Sequence, residues 1–162
     1  ANHLYYGDNL KVLRDHIADE SVGLIYLDPP FNSKRLYSAP IGSKAVGSSF
    51  KDMWSWQDVD DTRLEMLEAR FPHLVAYIEA LGALSGPSMM AYVTYMAQRV
   101  IELHRILKPA GTIYLHCDPT ASHYLKGLMD AIFGAANARN EIICIMMAPK
   151  ALAKGILPPN MT

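Results

Sequence analysis

A parallel α/β sheet with helices on both faces is the fold class the sequence predicts, and three observations predict it. Short apolar runs alternate with segments of helical periodicity. One run, Val22 to Leu27, is nearly continuous, the pattern of a strand buried on both faces. Acids close three of the runs, at Asp8, Asp28 and Asp118, where open parallel sheets bind ligands beyond the carboxyl ends of their strands. With 162 residues, 51% hydrophobic and 19% charged, the chain suffices for one domain around one core and is too apolar for a disordered protein.

The elements follow in order. Leu4, Tyr5 and Tyr6 form a short apolar and aromatic run stopped by Gly7 and Asp8, a strand and turn, after which Leu10, Val12, Leu13 and Ile17 predict a helix. The strand over Val22 to Leu27 ends at Asp28-Pro29-Pro30, because proline cannot donate to a ladder. Phe31 to Met53 shows no periodicity and reads as a long loop of the functional or disordered kind. From about Asp60, Leu64, Leu67, Phe71, Leu74, Ile78 and Leu81 recur at helical spacing, with Pro72 splitting or kinking the helix. Gly86, Pro87 and Ser88 punctuate. A second long helix then carries Tyr92, Met96, Val100, Leu103 and Leu107 on one face, and Lys108-Pro109 and Gly111 end it with a turn. Thr112 to Cys117 is a strand. Asp118 predicts an N-cap with Pro119 at the first helical position, Tyr124 to Phe133 a helix, Gly134 its C-cap and Glu141 to Met147 a fourth strand.

Charge and cysteine content exclude several classes. Fifteen Lys plus Arg against 16 Asp plus Glu leave a net charge of -1, so nucleic-acid binding cannot rest on a globally basic domain. Cys117 and Cys144 have no paired spacing, which disfavours a disulfide framework or zinc ribbon and fits a reducing cytoplasm. The apolar stretch Ile142 to Pro149 is too short to span a bilayer, and no signal-peptide pattern opens the chain. A start at Ala1 and an unstructured-looking end at Thr162 suggest a piece of something longer.

Asp28-Pro29-Pro30-Phe31 is the sharpest local signal. Consecutive prolines hold the backbone extended, so the Pro29 carbonyl is left to accept from a ligand. A carboxylate, a rigid carbonyl and an aromatic ring then face one small volume. An exocyclic amine on a flat ring needs such a set, with two acceptors for its hydrogens and a π-face for stacking. The competing reading is a surface turn with Phe31 as a core anchor; the position directly after a buried strand favours the ligand-binding one.

Four segments in order then resemble the site-specific DNA amino-methyltransferases. They are Gly7-Asp8-Asn9-Leu10, Leu24 through Ser33, Leu103-His104-Arg105-Ile106-Leu107-Lys108-Pro109, and Ile113-Tyr114-Leu115-His116-Cys117-Asp118. Ala131-Ile132-Phe133-Gly134 and Arg139 to Ile143 continue the likeness. The match is to the adenine-specific group whose catalytic motif precedes the cofactor's glycine-rich loop, and it covers most of the chain except 57–87 and the last dozen or so residues. The resemblance implies a Rossmann-like methyltransferase fold, present in part over 1–147, with a mobile loop and helical insertion at about 32–87 and a tail at 148–162. It implies that Asp28 and the Pro29 carbonyl hold the N6 amine of a flipped adenine in DNA, that Pro30 stiffens the turn and that Phe31 stacks on the base. Methyl transfer from S-adenosylmethionine would be in line and dominated by positioning and electrostatics, with Asp8, the backbone around Asn9, and Asp28 on the cofactor. For Asp8 a helix N-cap role is equally compatible. A prokaryotic or phage-like restriction-modification or epigenetic setting is implied, with DNA as partner.

Cytosine C5 methylation needs a thiolate that its enzymes present after a proline; Cys117 follows His116 and Cys144 follows Ile143. A metal site at His116, Cys117, Asp118 and His123 is disfavoured, since a strand followed by a helix scatters them. Local charge compensates for the neutral total: between Pro29 and Lys51 lie Lys34, Arg35, Lys44 and Lys51 and no acid, a segment suited to phosphate contacts. Acids at 52, 58, 60, 61, 65 and 68 follow it. Trp54 and Trp56 read as anchors of this loop to the core rather than base-stacking groups. No glycine-rich cofactor turn and no segment to read a DNA sequence are present, and Cys144 stands where the family pattern has an aromatic residue. Both missing parts are expected in a C-terminal remainder or a homodimer partner. Methylation of cytosine N4, RNA or a protein amide, or a non-catalytic DNA- or partner-binding module, are the alternatives.

Overall fold

The computed structural model describes residues 2–38, 49–59 and 70–144. Helix α1 (Asn9–His16) begins where the Asp8 carboxylate accepts the Leu10 N–H at 2.9 Å, filling one of the donors a first turn leaves open. Its far end is closed from across the chain. Arg105 Nη2 donates to the Leu13 carbonyl at 2.8 Å, Nη1 to the Ile17 carbonyl at 3.2 Å, and Nε to Glu102 at 2.7 Å. Glu102 also takes Arg14 Nε at 2.9 Å. Burial alone would raise the Glu102 pKa; the bonds from Arg105 and Arg14 outweigh it and hold the carboxyl below its ordinary range.

Strand β1 (Val22–Leu27) pairs in parallel with β4 (Leu107–Leu115), with Leu24 opposite Thr112 and Leu27 opposite Leu115. The turn predicted at Lys108 to Gly111 is instead the first half of β4; Pro109 cannot donate, and the register shifts between Val22 and Leu24. Ile25 packs on Leu103, Ile106, Leu13 and Ile17, whereas Leu24 and Tyr26, 61% and 67% exposed, face the other way with Tyr114. The described helices therefore cover one face of this two-stranded sheet, not both as the sequence suggests. Side chains alternate across a strand, so a continuous apolar run cannot by itself say that both faces are buried.

Three further expectations are corrected. Leu4, Tyr5 and Tyr6 form no strand: Leu4 is 98% exposed, and Tyr5 stacks on His16 with ring centroids 5.2 Å apart instead of joining a ladder. Glu141 to Cys144 likewise lack a strand partner, and 145–147 lie outside the described residues, as does the tail from 148. The long loop from Phe31 to Met53 contains an antiparallel pair, β2 (Arg35–Ser38) and β3 (Ser49–Asp52), with Arg35 opposite Asp52 and Ser38 opposite Ser49.

The core is helical. The helix predicted from about Asp60 falls partly on 60–69, outside the described residues; Pro72 opens α2 (Pro72–Ser85), where its missing N–H costs nothing. Gly86, at φ 84°, ends α2 and launches α3 (Pro87–Ile106), a turn that favours a residue without Cβ. Leu74, Ile78 and Leu81 of α2, Tyr92, Met96 and Val100 of α3, and Leu125 and Leu128 of α4 (Ser122–Phe133) form one buried cluster. Each such side chain contributes roughly 1.5–3 kcal/mol of burial. Gly127 of α4 leaves the space the Tyr77 phenol crosses on its way to the Tyr124 carbonyl, 2.8 Å away. Asp118 does not cap α4: its carboxylate turns onto Thr120, accepting N–H and Oγ1–H at 3.0 Å each, and the helix starts three residues later than Pro119. Gly134, at φ 85°, is the predicted C-cap. Among the described residues no helix is long and apolar enough to cross a membrane.

Candidate active site

The chain leaves β1 at Leu27, and the His116 N–H donates to the Leu27 carbonyl at 2.8 Å, carrying the ladder one step past β4. That step sets Asp28 and His116 side by side at the carboxyl end of the sheet. Asp28 is exposed, Pro29 is buried and Phe31 half-buried. No described donor reaches the Asp28 carboxylate or the Pro29 carbonyl. The Pro30 carbonyl, by contrast, is taken by the Tyr92 hydroxyl at 2.7 Å. Among the described residues, two acceptors of this turn are thus without a donor and the third is occupied. The Phe31 ring lies 5.6 Å from that of His116, tilted by 50°.

Tyr92 is fully buried, and burial pushes its phenol well above the ordinary range, so it remains a donor at any working pH. Tyr92→Phe keeps the ring and strands the Pro30 carbonyl. We expect a stability loss of about 1–2 kcal/mol by chemical denaturation, the cost of one part-buried acceptor left unpaired, with the unfolding slope unchanged.

A cavity of about 90 Å³ opens beside the turn, lined by Asp28, Pro29, Asn9, Tyr95, Met96 and Arg99, among others. Arg99 is part of its lining. Its guanidinium lies 3.3 Å over the Tyr95 ring, donates Nε–H to Asn9 Oδ1 at 2.8 Å and Nη2–H to Asp8 Oδ1 at 3.0 Å, and its side chain is 8% exposed. Burial lowers its pKa, opposed by Tyr95 and Asp8. Asp8 therefore serves as N-cap and as ion-pair partner with the same oxygen.

The structure brings Asn9, Asp28, Pro29 and Pro30 to one cavity and reaches Asp8 through Arg99. It does not bring Asp118 there. Lys34 and Arg35 are exposed immediately beyond the turn, Lys51 lies in β3 opposite Leu36, and Lys44 is outside the described residues. Trp54 anchors as expected, its ring 3.9 Å from that of Tyr95, while Trp56 is more exposed, at 38%. Burial raises the pKa of Cys117, which argues against a thiolate nucleophile. A nucleoside-sized ligand needs several hundred Å³, several times the volume of this cavity.

Sequence reasoning missed Tyr95, Arg99 and Asp52, and it counted Tyr92 only as core. Arg99 had a signal: a cation three residues after Met96, inside an apolar stripe, is rarely buried unless paired. Asp52 had none, since its partners lie twenty residues back.

A family model described as DNA methylase (N6_N4_Mtase) matches residues 22–156. The StyLTI Mod subunit of a type III restriction-modification enzyme from Salmonella typhimurium is 28% identical over 79% of this chain and 18% of its own length. The EcoPI Mod subunit of Escherichia phage P1 is 26% identical over 90% of the chain and 21% of its own, and the Escherichia coli EcoP15I Mod subunit 24% over 86% and 20%. The chain spans about a fifth of the length of these curated relatives.

Proposed function

Because the chain belongs to the DNA methylase family, we propose that it carries the amine-binding part of an adenine-N6 DNA methyltransferase acting in restriction-modification. The observation that supports this most is the acceptor pair, Asp28 carboxylate and Pro29 carbonyl, left without a donor among the described residues on a proline-restricted turn beside an aromatic ring. S-adenosylmethionine, the donor implied by the family, supplies the methyl group. The remaining work falls on this chain. Asp28 and the Pro29 carbonyl each accept one hydrogen of the adenine amine, which leaves the nitrogen lone pair pointing away from both. The Asp28 charge offsets the positive charge that builds on nitrogen during transfer. Phe31 holds the plane of a base taken out of the stack.

Asp8 and Asn9 bind the cofactor in this reading. The Asn9 amide nitrogen has no described partner, since Arg99 occupies only its oxygen. Lys34, Arg35, Lys44 and Lys51 contact DNA phosphates. A glycine-rich loop and a target-recognition region come from further sequence or from a second copy, in keeping with the larger Mod subunits that the chain resembles. The test is methylation of DNA by the full-length protein with labelled donor, followed by nucleoside mass spectrometry. N6-methyladenine is expected; N4-methylcytosine alone, or no modified base, refutes the proposal.

A further inference from the structure

The residues that follow Phe31 do not hold their shape unaided. Asn32 and Lys34 have φ of 59° and 60°, left-handed values that cost a non-glycine residue on the order of 1 kcal/mol each. Asn32 is also 1% exposed with its Oδ1 unpartnered. Three consecutive amides of this segment converge on one residue of β3. The Asp52 carboxylate, in a residue 2% exposed, accepts Asn32 N–H at one oxygen and Ser33 N–H at the other, both at 2.8 Å, and the Asp52 carbonyl accepts Lys34 N–H at 2.8 Å. On the other side, Tyr92 grips the Pro30 carbonyl. Phe31 is the residue between these two clamps.

We infer that Asp52 is a positioning residue for amine methylation: through the Asn32 and Ser33 amides it fixes Phe31 and the Pro29 carbonyl, and it joins the β2–β3 pair to the base-binding turn as one unit. The inference rests on the methyltransferase reading above. Bonds from a carboxylate to backbone amides are charge-assisted and stronger than neutral ones, so the clamp can offset two left-handed residues and one orphaned acceptor. Arg35 stands opposite Asp52 in the ladder, so a phosphate held by Lys34 or Arg35 is in fixed register with the open acceptors.

Asp52→Asn keeps one carbonyl oxygen and turns an NH₂ on the second amide. In the full-length protein, kcat should fall about tenfold, as for a small misplacement of reacting groups, while cofactor Kd stays within about twofold. Amide hydrogen exchange at Asn32 and Ser33 should quicken. Adding Asn32→Gly, which tolerates φ 59° without strain, should recover part of the lost kcat; measured well below the melting temperature of every variant, a role confined to global stability predicts no loss of kcat in Asp52→Asn at all. Asp52→Ser, with one hydroxyl acceptor, should give the same split between kcat and Kd and serves if the asparagine variant does not accumulate. With an active wild type, an unchanged kcat or a parallel loss of cofactor binding overturns the positioning role alone. A wild type that methylates no amine overturns the methyltransferase reading itself and the role with it.

Discussion

Asp28→Ala should lower kcat for methyl transfer by roughly 10²–10³-fold, the range seen when a preorganised electrostatic group is removed from a reaction centre. The change should leave the fold intact. The Asp28 carboxylate is exposed and receives no hydrogen bond from the described residues, so its loss strands no partner, and such surface changes stay within about 0.5 kcal/mol. Asp28→Asn retains an acceptor for one amine hydrogen but not the charge that offsets the forming cation, and its rate should fall between those of wild type and alanine. The measurement is single-turnover methylation with tritiated donor, paired with a melting curve for each variant. Retention of more than a tenth of wild-type kcat by the alanine variant would remove Asp28 from the reaction.

How far residues alone disclose this molecule depends on where each element finds its partners. Helix α1 was readable because its start is local: Asp8 caps Leu10 two residues on. The end of α4 at Gly134 is local as well. The open pair of acceptors was readable for a related reason, since two prolines restrict their own backbone. Strands are different. Leu4 to Tyr6 and Glu141 to Cys144 have strand composition and no ladder, while Arg35–Ser38 and Ser49–Asp52 have little alternation and pair nonetheless. A ladder is a property of two segments, and composition describes one at a time. The same holds for the supports of the site. Asp52 reaches back twenty residues to Asn32, Tyr92 reaches 62 residues to Pro30, and Arg99 reaches 90 residues to Asn9. The proposed amine-binding groups were therefore visible in sequence, and the residues that hold their backbone were not.

Arg99→Met should show what that long-range support contributes. Methionine fills much of the stem volume but gives up the two bonds to Asp8 and Asn9 and the cation over Tyr95. Breaking a well-buried charge pair costs several kcal/mol. Here Asp8 is more than half exposed and can rehydrate, and it keeps its bond to Leu10, so about 1–3 kcal/mol is the expected loss. Arg99→Lys keeps the charge but not the planar fork that spans two acceptors, and should recover only part of it. A double-mutant cycle with Asp8→Ala separates the pair from the packing: a coupling energy of at least about 0.5 kcal/mol is expected for groups in contact. The kinetic signature should differ from that of Asp28. Arg99 bonds Asn9 in the lining of the cavity and Asp8 outside it, and makes no bond to the Asp28–Phe31 turn, so the cofactor KM should rise severalfold while kcat changes less. An equal fall in kcat with unchanged cofactor KM would place Arg99 with the base-binding turn instead, and would take Asp8 and Asn9 off the cofactor.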